Sequence, residues 1–154
     1  MLSAARIKQL KSLHQKKFRR QENQFLLEGN RLIDQALSAD AQIIEVWMTQ
    51  KNLDSDFGKN ILQQFEEKKI PFSVAPEKII RQMSDSLNDQ GIIALVPIPV
   101  YEKYDSPPNK AIYLDGISDP GNMGTILRTA AWFGIKSIFR SPECVDPFNS
   151  KVVR

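Results

Sequence analysis

The sequence predicts an α/β fold in two successive units. Short apolar runs with strand character alternate with amphipathic helical segments along the first two thirds of the chain. A proline-rich stretch then interrupts the pattern, and a strand–helix–strand run follows it. With 154 residues, 42% hydrophobic and 25% charged, the chain has the composition of ordinary globular domains rather than of a disordered segment.

The elements follow in order. Leu2 to Leu13 carries Ile7, Leu10 and Leu13 on one side and lysines elsewhere, which predicts a helix. Phe25-Leu26-Leu27 is a buried strand ended by Glu28-Gly29, and Asn30 caps a helix whose apolar face is Leu32, Ile33, Ala36 and Leu37. Ile43 to Met48 reads as a second strand, Phe57 to Lys69 as a polar helix, and Phe72 to Ala75 as a third strand. Pro76 opens a short helix to about Met83, and Ile92 to Val96 is a fourth strand. Trp47 and Phe72 sit in strand-like apolar runs and are expected in the core. Residues 1–97 form the first domain on this reading and residues 98–110 a semi-rigid linker, since Pro97 to Lys110 contains four of the nine prolines. From residue 111 a new unit begins, with a strand Ala111–Leu114, a loop, a helix Pro120–Phe133 and a strand Lys136–Phe139. Two strands and one helix do not enclose a core, and Lys151 to Arg154 reads as the opening of a helix. The second unit is therefore expected to be incomplete, finished by a partner or by a longer chain.

Several function classes are excluded or disfavoured. Ile92 to Val100 is the longest apolar run and is too short to cross a membrane. The lone Cys144 forms no internal disulfide, which points to a reducing cytoplasm. One histidine, His14, and one cysteine make a structural zinc site a poor expectation, and no metal is assigned. A Ser-His-Asp or Cys-His system would have to use His14, inside a basic stretch, and Cys144 has no base near it in sequence.

Charge is unevenly distributed. Residues 1–20 hold Arg6, Lys8, Lys11, Lys16, Lys17, Arg19 and Arg20 and no acid, whereas the remainder is mildly acidic. Such a segment suits a polyanion such as RNA, although basic runs are also common on plain solvated helices.

The densest signal is Asp115 to Ala130. Asp119 is placed as an N-cap and Pro120 as the first helical residue. Met123, Ile126, Leu127, Ala130 and Phe133 form the core-facing stripe, and Gly134 ends the helix. Gly121, Gly124 and Arg128 recur at helical spacing, so bare backbone leads up to one guanidinium. Gly116 and Gly121 have the spacing of a P-loop but lack the Lys-Ser/Thr that must follow, and Gly121-Asn122-Met123-Gly124 supplies only the end of a dinucleotide fingerprint. Residue chemistry alone leaves packing and function evenly balanced for this turn.

Leu114-Asp115-Gly116-Ile117-Ser118-Asp119-Pro120-Gly121-Asn122-Met123-Gly124-Thr125-Ile126-Leu127-Arg128-Thr129-Ala130, with Phe133-Gly134 and Ser141 to Arg154, resembles motif 1 and the following segment of the SpoU (TrmH) family. These are RNA ribose 2′-O-methyltransferases of the SPOUT superfamily, built on a trefoil knot. Lys17-Phe18-Arg19-Arg20, Phe25 to Leu32 and Ser84 to Ala94 resemble the family's L30e-like substrate-binding domain. The resemblance implies Asn122 and Arg128 at the site that receives the target ribose. With RNA as the partner, the basic segment and the bare side of the motif helix make Lys16, Lys17, Arg19, Arg20, Arg31, Gly121 and Gly124 the expected RNA contacts. The resemblance also implies S-adenosylmethionine as methyl donor, ribosomal or transfer RNA as substrate, and a homodimer. A guanidinium is a poor base, so gripping phosphate and stabilising a developing alkoxide is the expected role of Arg128. The family's motifs 2 and 3 have no counterpart here, nor has the motif 2 glutamate. The chain is accordingly expected to lack a complete donor site and to transfer little or no methyl. The competing expectations are a non-catalytic RNA-binding protein and a dimerisation module.

Overall fold

The computed structural model describes residues 2–86, 89–100 and 108–154. The chain divides into two compact units, Met1–Ile98 and Pro99–Arg154. Most of the linker expected over 98–110 lies outside the described residues.

The first unit opens with α1 (Ala4–Ser12), where the Ser3 side chain accepts a hydrogen bond from the Arg6 amide, and α2 (Lys16–Glu22). Gln15, in extended conformation, separates them, and the sequence pattern did not mark α2 as a helix of its own. Then follow β1 (Gln24–Glu28), α3 (Asn30–Ser38), β2 (Glu45–Met48), α4 (Gln50–Leu53), α5 (Asp56–Glu67), β3 (Phe72–Val74), α6 (Glu77–Met83) and β4 (Ile92–Pro97). The one-turn α4 was also not foreseen; it is nucleated by Thr49, whose hydroxyl accepts from the Asn52 amide at 3.1 Å. Ser55 repeats the device for α5.

The sheet order is β1-β4-β2-β3, with β4 antiparallel to both β1 and β2 and β2 parallel to β3. This central position explains why β4 reads as an unbroken apolar run, buried from Ile92 to Val96. Trp47 lies opposite Ile93 and joins Leu10, Leu13, Leu26, Ile80, Met83 and Leu95 in one core cluster, which brings α1 and α6 onto that face. Val46 and Met48 alternate to the other face, and α3 packs there on β1 and β4 beside α5. Trp47 is fully buried, as its apolar run predicts. Phe72 is not: it is 38% exposed, because β3 is a three-residue edge strand with one sheet neighbour among the described residues. Its ring still leans on Phe65 at 5.8 Å between centroids.

A cluster of side-chain amides knits the first unit. Asn52 is buried and donates from Nδ2 to Asn30 Oδ1 at 2.9 Å and to the Gln90 carbonyl at 2.8 Å. Gln90 Oε1 accepts the Asn30 amide at 2.9 Å and so acts as the cap that Gly29 cannot supply. Gly29 has φ +97°, a backbone conformation that calls for glycine, and a Cβ there, 2.7 Å from Gln90 Oε1, would push the Gln90 side chain off its cap. Outside this cluster, Asp40 pairs with Lys68, whose hydrogen bond and charge hold the exposed carboxyl below its ordinary range.

The second unit consists of β5 (Ala111–Leu114), α7 (Pro120–Trp132), β6 (Ser137–Arg140) and α8 (Ser150–Val153). β5 and β6 pair in parallel, with Ile112 opposite Ile138 and Tyr113 opposite Phe139. Leu114, Met123, Cys144 and Val152 form its small core. Phe133, expected on the core-facing stripe, is 74% exposed. The helix ends at Trp132 and Phe133 is its C-cap, so helical periodicity no longer aims that side chain at the sheet.

Asn52→Asp keeps the size of the side chain and replaces a double donor by an acceptor facing two acceptors. We expect it to lower stability by about 3 kcal/mol at neutral pH. The introduced carboxyl would be favoured in its protonated, donating form, so its folded pKa lies above the unfolded value and the penalty shrinks as pH falls. Urea titrations at neutral and mildly acidic pH measure both effects.

Candidate functional site

The motif segment of the second unit forms a short, well-tied loop and the first turns of α7. Asp119 accepts the Asn122 amide at 2.7 Å and Pro120 occupies the first helical turn, as the sequence predicts. The loop before it is fixed from the far strand: Ser141 Oγ accepts the Gly116 amide at 3.1 Å, and the Ser141 amide donates to the Leu114 carbonyl at 2.9 Å. Val145 closes it by donating to the Ile117 carbonyl at 2.8 Å. Cys144 is buried, and its thiol approaches the Leu114 carbonyl at 3.4 Å, an inert packing role. Glu143, exposed nearby, is held below the ordinary carboxyl range by its own backbone amide and the Ser141 hydroxyl.

The two candidate glycines differ. Gly121 is exposed, and a Cβ there would meet only the Asp119 carboxylate at 3.1 Å. Gly124 is buried beneath the α8 backbone: a Cβ would lie 2.7 Å from the Val152 carbonyl oxygen and 3.0 Å from Arg128 Nη1. The bare patch at Gly124 therefore admits this chain's own backbone. Arg128 lies across it and donates from Nη1 to the same Val152 carbonyl at 3.4 Å, while its side chain remains exposed. Asn122 is exposed, six residues before Arg128 and so about 120° around the helix from it. The structure thus brings Gly124, Arg128 and α8 together and leaves Asn122 on a neighbouring flank.

In the first unit the basic residues separate into two groups. Arg19 is 2% exposed, and its Nη1 donates to the Leu13 and His14 carbonyls, both at 2.8 Å. It satisfies the carbonyls at the end of α1, so its charge is turned inward. Arg6 is 3.6 Å from Glu45 and bonded to Gln9. Lys17 and Arg20 are exposed and Lys16 is half-buried, with the Lys17 ammonium 5.8 Å from the Phe18 ring. Lys8 and Lys11 on α1 are exposed too, and sequence reasoning counted their charge without naming them as contacts. Arg31 is exposed in the first turn of α3, a turn with no acid, and the Asn30–Asn52–Gln90 cluster fixes its backbone. A cleft of about 340 Å³ at the carboxyl ends of β2 and β3, between Thr49, Lys51, Val74 and Glu77, contains no residue that the sequence singled out. Among the described residues no group of three potential metal ligands assembles, and no helix is long and apolar enough to span a membrane.

Comparison with known proteins adds a second line of observation. Residues 4–94 match the MRM3-like substrate binding domain, and residues 109–154 match the SpoU rRNA Methylase family. The chain is 31% identical to an uncharacterized tRNA/rRNA methyltransferase of Synechocystis, over 96% of this chain and 54% of that protein. It is 29% identical to the 23S rRNA (guanosine(2553)-2′-O)-methyltransferase RlmP of Bacillus subtilis, over 97% of this chain and 56% of that one. The SpoU methyltransferase AviRb of Streptomyces viridochromogenes, solved with AdoMet, matches with a TM-score of 0.84 at 20% identity. That match covers 99% of this chain and 58% of the other, and at this identity the likeness is one of fold. The chain spans about half the length of the curated relatives it matches.

Arg19→Ala and Arg20→Ala should therefore part company. The first strands the buried Leu13 carbonyl and the partly buried His14 carbonyl and is expected to cost about 2 kcal/mol of stability; the second should leave the unfolding midpoint almost unchanged. Gly124→Ala forces α8 or Arg128 to move and should destabilise by about 2 kcal/mol, whereas Gly121→Ala stays near neutral. Denaturant unfolding of the four variants checks both pairs.

Proposed function

The chain belongs to the SpoU (TrmH) methylase family, with an MRM3-like substrate-binding domain preceding the methylase motif, and from that premise we propose that it serves ribose 2′-O-methylation of ribosomal or transfer RNA. The observation that carries this reading is Arg128, held across bare Gly124 at the start of a helix whose N-cap and first turn follow the family motif.

In this reading the first unit binds RNA through Lys16, Lys17, Arg20 and Arg31, exposed or half-buried cations on a fixed scaffold. Arg19 supports that surface from within. Asn122, Gly121 and Arg128 face the target nucleotide. Transfer forms a bond between the 2′-oxygen and a methyl carbon, breaks the bond from that carbon to a sulfonium, and releases the 2′-hydroxyl proton. Arg128 uses one of its five N–H groups on Val152 and has others for a phosphate or for the developing alkoxide. Its guanidinium stays protonated, so proton removal falls to another group.

S-adenosylmethionine supplies the electrophilic methyl in this reading. Gly124, the buried bare backbone of α7, is closed to it by the Val152 carbonyl and Arg128. The chain by itself is therefore proposed to bind RNA without completing methyl transfer. Homodimer formation belongs to the same reading, supported by the apolar pair Tyr113 and Phe139, 66% and 42% exposed on one side of the two-stranded sheet. The lone reduced cysteine favours a cytoplasmic setting.

Titration calorimetry with S-adenosylmethionine is expected to give no saturable heat with the 154-residue chain, and saturable binding would overturn the account of the donor site. RNA affinity should fall steeply with salt, and neutralising Lys17 and Arg20 together should lower the slope of log K against log salt by roughly one to two. An unchanged slope would return these residues to a solvated helix face. Arg128→Ala should leave RNA affinity nearly intact and, in any form that transfers methyl, lower the rate by about a hundredfold or more.

A further inference from the structure

The chain has two tryptophans with opposite surroundings: Trp47 has no exposed surface, and Trp132 is 87% exposed. Trp132 ends the row Gly124–Arg128–Trp132, successive residues four apart, so the three share one side of α7. Along that row the α8 backbone lies on Gly124, Arg128 reaches the Val152 carbonyl, and the indole of Trp132 stands open to solvent. The inward stripe of the same helix, with Met123 and Ala130 buried, places Trp132 away from the core. The surrounding sequence carries one sign of charge. From Pro120 to Pro142 there is no Asp or Glu, against Arg128, Lys136 and Arg140.

A flat aromatic surface on the Arg128 side of α7, with the guanidinium lying two turns back beside Gly124 and no carboxylate in the sequence between Pro120 and Pro142, is complementary to an unpaired base in a strand whose phosphate lies further along the helix. A second copy of the chain fits less well, because it would bring the same cations face to face and bury Arg128 without a counter-charge. We propose that Trp132 is a stacking platform for a base of single-stranded RNA, near the target nucleotide that Arg128 faces. The inference rests on the RNA-binding reading above and adds to it a contact that selects unpaired RNA over duplex.

The contrast between the tryptophans supplies the experiment. In the free chain, acrylamide should quench Trp132 and spare Trp47. A short single-stranded oligoribonucleotide should abolish the quenchable fraction, whereas inorganic polyphosphate, which has the charge without the bases, should bind and leave it open. Trp132→Ala should weaken oligoribonucleotide binding roughly tenfold, and Trp132→Phe should retain most of the affinity. The side chain is exposed, so both variants should unfold at the parent midpoint.

RNA bound with Trp132 still quenchable, or Trp132→Ala binding as tightly as the parent, would overturn the stacking role and leave the RNA reading standing. Protection of Trp132 that grows with protein concentration in the absence of RNA would overturn it in favour of a second copy. Failure of the parent chain to bind RNA at all would overturn the reading and this inference together.

Discussion

The close approach of the Val152 carbonyl to Gly124 governs the second unit. A backbone oxygen can lie against a helix at that distance only where there is no Cβ, and the place it occupies decides where the neighbouring guanidinium goes. Arg128 has a long side chain with many rotamers, which alone would sample the solvent around α7. The carbonyl acceptor beside Gly124 offers one direction a hydrogen bond and makes the arginine part of the fold's geometry. The loop from Asp115 to Asp119 is fixed by the same logic, because Ser141 and Val145 reach across from the far side of the unit to hold its amide and carbonyl groups. A two-stranded sheet is a weak scaffold by itself, and these ties set the start of α7 despite it.

The first unit solves a different problem, that of a cationic segment which must also fold. The turn between α1 and α2 leaves the Leu13 and His14 carbonyls without helical partners, in a place that water reaches poorly. Arg19 supplies both hydrogen bonds from one planar nitrogen group, and its charge is lost to any outside ligand. His14 pins the same corner by donating from Nε2 to the Met83 carbonyl at 2.7 Å. The cations of this segment that stay exposed are Lys8, Lys11, Lys17 and Arg20, with Lys17 leaning over the Phe18 ring and Lys16 partly covered.

The sequence was most legible where local punctuation and periodicity agreed. Asp119-Pro120 marked the start of α7 correctly, the apolar face of Asn30–Leu37 became α3, and the apolar run at Ile92 became the central strand. Legibility failed where tertiary partners decide. The extended Gln15 splits the N-terminal segment into two helices, and α4 depends on the Thr49 hydroxyl and on Asn52 reaching residues far along the chain. Phe72 and Phe133 have core-like neighbours in sequence, but one falls on an edge strand and the other just past a helix end. At the candidate site, the spacing of Gly121, Gly124 and Arg128 marked one side of α7 and left packing and function evenly balanced. It could not tell the open glycine from the filled one, since both look alike until α8 is in place. Charge counting likewise gave seven cations equal weight, and burial then removed Arg19.

In the RNA-modifying role proposed above, these two arrangements would divide the work in a physically sensible way. Exposed lysines and arginines on a rigid unit attract phosphates whatever the sequence, and contribute equally before and during reaction. They raise occupancy without raising the rate. A guanidinium held by its own backbone acceptor has already lost part of its freedom before substrate arrives, so less ordering remains for the reaction itself. It can then meet charge that appears only as the 2′-oxygen attacks. Arg20 and Arg128 are both exposed arginines in a sequence rich in basic residues, and of these two Arg128 has a long hydrogen bond, 3.4 Å, to a backbone carbonyl 24 residues away. That contact, rather than the residue type, separates an arginine suited to rate from one suited to affinity.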